Sequence, residues 1–217
     1  MKRFFLLAIL IFVSLLTTPA WSRSCPTPVT THTDQGTPEA RQLFEQVYES
    51  VFGPQGSTLH YDVNLIGVYK TSGTIWYKGK KSRFSDARVD SWNDGQTVYS
   101  VNRKKKVVNI YDATRGDHDK YASKFKFTLD DFTYSMERTT EGIWFTLRQR
   151  QGARGTVKLV KALVNSETLA PVLVKIKVAL FWANIHITNF RSGNISDELF
   201  QFPFVTYVQG YRFLDYR

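Results

Sequence analysis

Hydrophobic positions recur along this chain first at a helical spacing and then at alternate residues. Ala40, Leu43, Phe44, Val47, Tyr48, Val51 and Phe52 fall at i, i+3, i+4 and i+7 intervals, which predicts an amphipathic helix. Thr37 stands where an N-cap hydroxyl is needed, Pro38 takes the first helical position, and Gly53-Pro54 ends the segment. The period then becomes two. Leu59, Tyr61, Val63 and Leu65 alternate with Thr58, His60, Asp62 and Asn64. Thr71-Ser72-Gly73 reads as a turn, followed by Ile75 and Tyr77 in a second strand and Phe84 in a weaker third. Asn93-Asp94-Gly95 is a turn signal. It leads to Tyr99 and Val101, a charged tip at Arg103-Lys104-Lys105, and Val108 and Ile110 on the return.

Residues 113–124 are polar and read as a loop, and Leu129 to Met136 predicts a short second helix. Alternation resumes at Ile143, Phe145 and Leu147, and residues 151–155 turn the chain. Further strands carry Val157, Leu159 and Leu163, then Val172, Val174, Ile176 and Val178, then Ile185 and Ile187. Roughly eight to ten strands joined by short turns imply a meandering antiparallel sheet. An apolar sheet face must be covered, and one strong helix with one weak one is too little cover for so many strands. The pattern therefore predicts a mainly β fold: a curved antiparallel sheet forming an open, incomplete β-barrel with helices across its opening.

The N-terminus adds a compartment. Lys2 and Arg3 precede an apolar run from Phe4 to Leu16, and Ala20-Trp21-Ser22 reads as a cleavage site, which together predict a signal peptide over 1–22. The run is shorter than the roughly 20 residues a membrane-spanning helix needs. Residues 23–36, with Pro26, Pro28, several threonines and Gly36, read as a disordered leader, leaving 37–217 as a single exported domain. The net charge of +10 includes two basic residues of the signal, so the remainder carries +8. Outside the cytoplasm such a charge points to an anionic membrane surface or an acidic partner rather than to nucleic acid, or simply to solubility. Cys25 is the only cysteine, so no internal disulfide supports the domain. It stands close enough to the signal for lipid modification to be considered, although Ser22-Arg23-Ser24 is a poor processing site.

No G-x-S-x-G, H-E-x-x-H, C-x-x-C or P-loop is present. His60 and His186 alternate with polar neighbours, Asp117-His118-Asp119 lacks further ligands at a metal spacing, and Asp130-Asp131 suits a helix start. No active site, metal or cofactor is expected. The inward-facing set comprises Leu59, Tyr61, Val63, Leu65, Ile75, Tyr77, Phe84, Tyr99, Val101, Val108, Ile110, Ile143, Phe145, Val174, Ile176, Ile185 and Ile187. It is either a plain core or in part the wall of an apolar groove. Lys80 and Lys81, with Arg103 to Lys106, make basic hairpin tips that are either solvated or a docking surface. Leu180, Phe181 and Trp182 make an apolar tip where turns prefer Gly, Asn or Asp; it either tucks under a loop or touches lipid or a partner.

Ser72-Gly73-Thr74-Ile75-Trp76-Tyr77-Lys78, Phe84, Asn93-Asp94-Gly95-Gln96-Thr97-Val98-Tyr99 and Tyr111-Asp112 resemble, in order, segments of the bacterial outer-membrane lipoprotein carrier family, the LolA-like proteins. Asn165 to Pro171, Ile187-Thr188-Asn189-Phe190, Ile195 to Phe202 and Asp215-Tyr216-Arg217 extend the resemblance through the C-terminal half. It implies an open β-barrel with helices as a lid and a groove for acyl chains, to which Leu59, Tyr61, Val63, Leu65, Ile75, Tyr77, Phe84, Tyr99, Val101, Ile143, Phe145, Val174 and Ile176 would contribute. It further implies a monomeric, non-enzymatic periplasmic chaperone that carries acylated lipoproteins to the outer membrane. The implied partners are an inner-membrane lipoprotein-releasing transporter and an outer-membrane acceptor, with transient contact at the membrane surface. Lys80, Lys81, Lys104, Lys105, Phe181 and Trp182 are the candidate docking residues. The chain departs from the family at Gly79, where an arginine thought to hold the lid is expected. Two other readings are a lipid-sensing or lipid-anchored acceptor domain of the same fold, and a hydrolase using Asp131 or His118.

Overall fold

A computed structural model describes residues 36–217 except 66–68, 116–127, 154–156 and 179–180. The expectations for the signal, for Cys25, for Asp117 to Asp119 and for Leu180 lie outside these residues, as does all but the last residue of the leader. Helix α1 (Pro38–Phe52) leads into β1 (Ser57–Leu65), β2 (Tyr69–Lys78), β3 (Lys81–Asp86), β4 (Val89–Asn93), β5 (Thr97–Asn102) and β6 (Val107–Asp112). Then follow β7 (Phe132–Thr139), β8 (Gly142–Gln149), β9 (Leu159–Val164), β10 (Pro171–Val178), β11 (Phe181–Ser192), a one-turn helix α2 (Phe204–Tyr207) and β12 (Arg212–Asp215).

The α1 cap forms as its residues dictate. The Thr37 hydroxyl accepts from the Ala40 amide at 3.3 Å, and Gly53 N–H donates to Glu49 O at 2.8 Å. Ala40, Phe44, Val47 and Val51 form its buried stripe.

All twelve described strands join one sheet in the order β12-β6-β5-β4-β3-β2-β1-β11-β10-β9-β8-β7. Every pairing is antiparallel except that of β12 with β6, which is parallel. The terminal strands β12 and β7 do not pair with each other. The sheet is therefore a wide, curved, unclosed β-barrel, with α1 against its concave face.

Local readings fail at three places. Thr71-Ser72-Gly73 is no turn but lies inside β2. Gly73 is there for close approach: a Cβ would come within 2.5 Å of Ser85 O and 2.8 Å of the hydroxyl of Tyr61, which packs directly opposite it. Leu129 to Met136 is not a helix. Leu129–Asp131 makes one 3-10 turn, after which Phe132, Tyr134 and Met136 alternate along β7 and pair with β8. A short apolar run fits both periods, and the partner strand decides between them. At Pro171 the β9–β10 register shifts, so Pro171 joins Val174 and Ile176 on the inner face while Val172 turns to solvent.

The registers also divide the apolar residues between two faces. Ile75 opposes Phe84, Phe84 opposes Ser91, and Ser91 opposes Ser100. Ser100, not Tyr99 or Val101, therefore lies on the concave face. Tyr99, Val101, Val108 and Ile110, expected to point inward, belong to the opposite face with Trp92. There the C-terminal segment covers them: Phe202 stacks on Tyr99 with centroids 4.4 Å apart and meets Trp92 edge-on at 5.4 Å. Tyr207 and Phe213 complete this second core. Beside it, the Arg83 guanidinium lies between Trp76 and Trp92, 4.8 Å and 5.3 Å from their ring centroids.

Asp90 anchors this end of the sheet. Its carboxylate accepts from Arg103 Nε at 2.7 Å, Arg103 Nη2 at 2.6 Å and the Ser85 hydroxyl at 2.6 Å. Burial alone would raise its pKa, but the bonds from Arg103 and Ser85 outweigh it and hold the group below the usual carboxylate range. The folded value lies below the unfolded one, so the stabilisation is present above about pH 4 and is lost as pH falls through the folded value. Asp90→Asn is expected to cost about 1–3 kcal/mol at neutral pH. In urea melts against pH, the wild type should converge on the variant in acid. A pH-independent difference would mean that the charge is not what matters.

Candidate functional site

Between α1 and the concave face lies a cavity of about 120 Å³. It sits where two core clusters meet. One is built on Phe44, Val47, Phe145, Val160 and Ala162, the other on Val51, Leu59, Tyr61, Ile75 and Tyr77. Alternation on β1 and β2 delivers Leu59, Tyr61, Ile75 and Tyr77 to its wall. β9, β10 and β11 bring Val160, Ala162, Val164, Val174, Ile176, Ile185 and Ile187, and α1 closes it with Phe44, Val47, Tyr48, Val51 and Phe52. Among the described residues the lining contains no Asp, Glu, Lys, Arg or His, and its only side chains with a polar group are Tyr48, Tyr61 and Tyr77. Rings shape the rim: Phe52 lies 4.7 Å edge-on from Tyr77 and 4.6 Å from Tyr48.

Both ends of α1 are tied down. At its start Thr37 N–H donates to Tyr134 O at 2.9 Å, and Arg41 donates to Asp130 at 2.6 Å and Glu45 at 2.7 Å. These exposed ion pairs contribute little. The Tyr134 hydroxyl donates to Leu129 O at 2.6 Å, and burial pushes its pKa up to about 12. At the other end the buried Ser57 hydroxyl donates to Val51 O at 2.7 Å, and Ser192 donates to Ser50 O at 2.8 Å. Gly79, at the position where the resemblance expects arginine, has φ +55° in the β2–β3 turn, a conformation that favours glycine. Its N–H donates to Gly53 O at 3.1 Å. The contact from this position to the end of α1 is thus a backbone hydrogen bond.

Of the groove residues read from the sequence, Leu59, Tyr61, Ile75, Tyr77, Val174 and Ile176 line the cavity. Val63 packs beside it among the cluster of Phe84 and Tyr61. Phe84 is buried in that cluster, stacked on Tyr61 at 5.9 Å and away from the cavity wall. Ile143 and Phe145 are core beneath the first half of α1, where Phe44 meets Phe145 at 5.3 Å. Tyr99 and Val101 are on the other face. Leu65 ends β1, and its side chain lies outside those described. Helix α1 was expected across the opening, but its residues, with those of β9 and Pro171, were not among the groove residues read from the sequence. The signal for α1 was its apolar stripe, which has to face something.

The docking candidates do not form one surface. Lys80 lies in the β2–β3 turn beside Gly95, while Lys104 and Lys105 lie in the β5–β6 turn beside Arg88, at the opposite strand ends. Lys81 pairs with Asp197 at 2.8 Å, together with Lys78 at 3.3 Å, and the two hold Asp197 below the usual carboxylate range. Arg103, read as part of a basic tip that was either solvated or a docking surface, is bound to Asp90. Trp182 is not at a hairpin tip but inside β11, opposite Lys177 on β10. Phe181 begins that strand, and its side chain lies outside those described. Asp131 closes the 3-10 turn before β7. His118 lies outside the described residues.

No protein-family model matches the sequence. No curated protein matches it either. Among solved structures, the chain is similar to an uncharacterized conserved protein from Thermus thermophilus, with 10% identity and a TM-score of 0.56 over 82% of this chain and 99% of that one. It is also similar to MucB, with 10% identity and a TM-score of 0.49 over 77% of this chain and 64% of that one. A LolA superfamily protein from Nitrosomonas europaea matches with 10% identity and a TM-score of 0.40, over 76% of this chain and 98% of that one. Over most of its length the chain thus has the fold of the Thermus thermophilus protein.

Proposed function

We propose that this protein binds the acyl chains of lipoproteins in the cavity under α1 and, as a periplasmic chaperone, carries them towards the outer membrane. The observation that carries the reading is the predominantly apolar lining between a helix and an unclosed sheet. The resemblance of the sequence to lipoprotein carriers supports it, and supplies the expected partners: a transporter that loads the protein and an acceptor that unloads it.

An engineered apolar cavity of about 150 Å³ holds one benzene, so the smaller space beneath α1 is at most ring-sized and does not hold a whole acyl chain. Cargo entry therefore requires α1 and the sheet to part. Each methylene then buried contributes about 0.8 kcal/mol, offset by the packing that α1 gives up. Such an exchange suits a carrier, which must release what it binds. A hydrolase would need convergent ionisable groups, and none of the described residues that line the cavity is ionisable in the neutral range. In this reading the protein performs no catalysis.

Lipid extraction and mass spectrometry of the protein purified from its native compartment test the reading. An acylated protein or peptide is expected to co-purify, and a synthetic triacylated lipopeptide should displace an apolar fluorescent dye from the cavity. Recovery of no acyl-bearing species, together with a dye that the lipopeptide leaves bound, would sink it.

A further inference from the structure

Four of the five large hydrophobic residues exposed among the described residues lie in the last fourteen positions of the chain: Phe204, Val205, Val208 and Tyr216. Phe204 is 50% exposed, Val205 90% and Val208 62%, although this segment folds back on the aromatic core of the convex face. Residues 204, 205 and 208 belong to the single turn of α2 and its C-cap, so they stand together as one apolar knob. The knob is flanked by positive charge. The Tyr207 hydroxyl lies 3.5 Å from Asp90, whose partner Arg103 opens the β5–β6 turn, and Arg212 N–H donates to Lys106 O at 2.9 Å. Lys104, Lys105, Lys106 and Arg212 are exposed, with no ion pair among the described residues. Of the nearby carboxylates, Asp90 is paired with Arg103 and Asp215 with Arg217 at 2.6 Å, while Asp86 accepts from the Arg88 and Val89 amides and adds one negative charge near Arg103.

From this juxtaposition we propose that α2 and the β5–β6 turn form a membrane-docking surface. Val205, Val208 and Phe204 enter the headgroup boundary of an anionic phospholipid surface while Lys104, Lys105, Lys106 and Arg212 meet its phosphates. Exposed aliphatic and aromatic side chains beside lysines and arginines are the composition of an interfacial anchor. The surface lies on the sheet face opposite the cavity, so cargo space and membrane contact are separate. The inference deepens the carrier reading by assigning its membrane contact, but the measurement stands without it.

The chain purified from its native compartment is mixed with phosphatidylcholine vesicles made with and without phosphatidylglycerol, and sedimented. Binding is expected only with phosphatidylglycerol, falling as salt screens the charges. Val205→Ser with Val208→Ser should weaken it on the order of tenfold, and Lys104→Glu with Lys105→Glu by at least about as much. Both variants should keep the wild-type melting temperature and the wild-type uptake of an apolar dye by the cavity, which separates failure here from failure of the carrier reading. Equal binding to neutral vesicles, or variants that bind as the wild type does, would overturn the proposal. A wild type that ignores vesicles but self-associates in the ultracentrifuge, dispersed by the serine variant, would instead give the patch to a second copy.

Discussion

Phe84→Glu is expected to unfold the protein rather than to disable a groove. Phe84 is 5% exposed in β3, an interior strand of the sheet, and stacks on Tyr61 beside Ile75 and Tyr77. It does not reach the cavity. The substitution removes the aromatic packing, worth about 3–5 kcal/mol in comparable truncations. It also buries a carboxylate with no cation in the cluster to pair it, which costs several kcal/mol more or forces protonation. A domain of this size has about 5–15 kcal/mol in total. Urea melts should therefore show a variant unfolded in water, whereas Phe84→Leu should stay folded. A folded Phe84→Glu protein with weakened dye binding would place Phe84 on the ligand path after all.

The opposite result is expected for Ala162→Leu, which should keep the fold and block the cavity. Ala162 lies on β9 between Phe145 and Val174, with its side chain on the cavity wall. Leucine adds an isopropyl group directed into a void lined by Phe44, Val47 and Ile176. Extra methylenes in a full core cost about 1–3 kcal/mol, but here they enter empty apolar space, so stability should change by no more than about 1 kcal/mol in either direction. Affinity for an apolar dye or a triacylated lipopeptide should fall by about tenfold or more, since the substitution takes space that burial of the ligand needs. Dye titration and thermal melts run side by side decide it. Unchanged affinity in a stably folded variant would remove this cavity as the acyl site.

The contrast between these two positions reflects how much of the site could be read without coordinates. Leu59, Tyr61, Ile75 and Tyr77 reach the cavity because their alternation runs unbroken along two paired strands. Phe84 shares their face, yet it packs away from the space beneath α1, and no spacing in the sequence distinguishes the two fates. Ala162 is small, and its importance comes from what it fails to fill. A void is a property of several elements at once, so no single segment carries its signal.

Local features follow from the residues alone. Thr37-Pro38 and Gly53 delimit α1 because caps and the proline ring act within one turn of chain. Asn93-Asp94-Gly95 turns the chain because the Asp94 carboxylate accepts from the amides of Gln96 and Thr97, at 2.8 Å and 2.7 Å. Alternation likewise specified two faces on each strand, but not which face meets which layer. That depends on the register between strands, where a shift of one residue exchanges the faces of a whole strand. Pairing across the whole sheet therefore turned Tyr99, Val101, Val108 and Ile110 away from α1, towards a C-terminal segment far along the chain. It also made Gly73 a contact for Tyr61 instead of a turn, and drew residues 132–136 of the expected helix into β7. In each case a partner distant in sequence supplied burial and hydrogen bonds that outweighed the local preference, because strand pairing satisfies every backbone group along an edge at once.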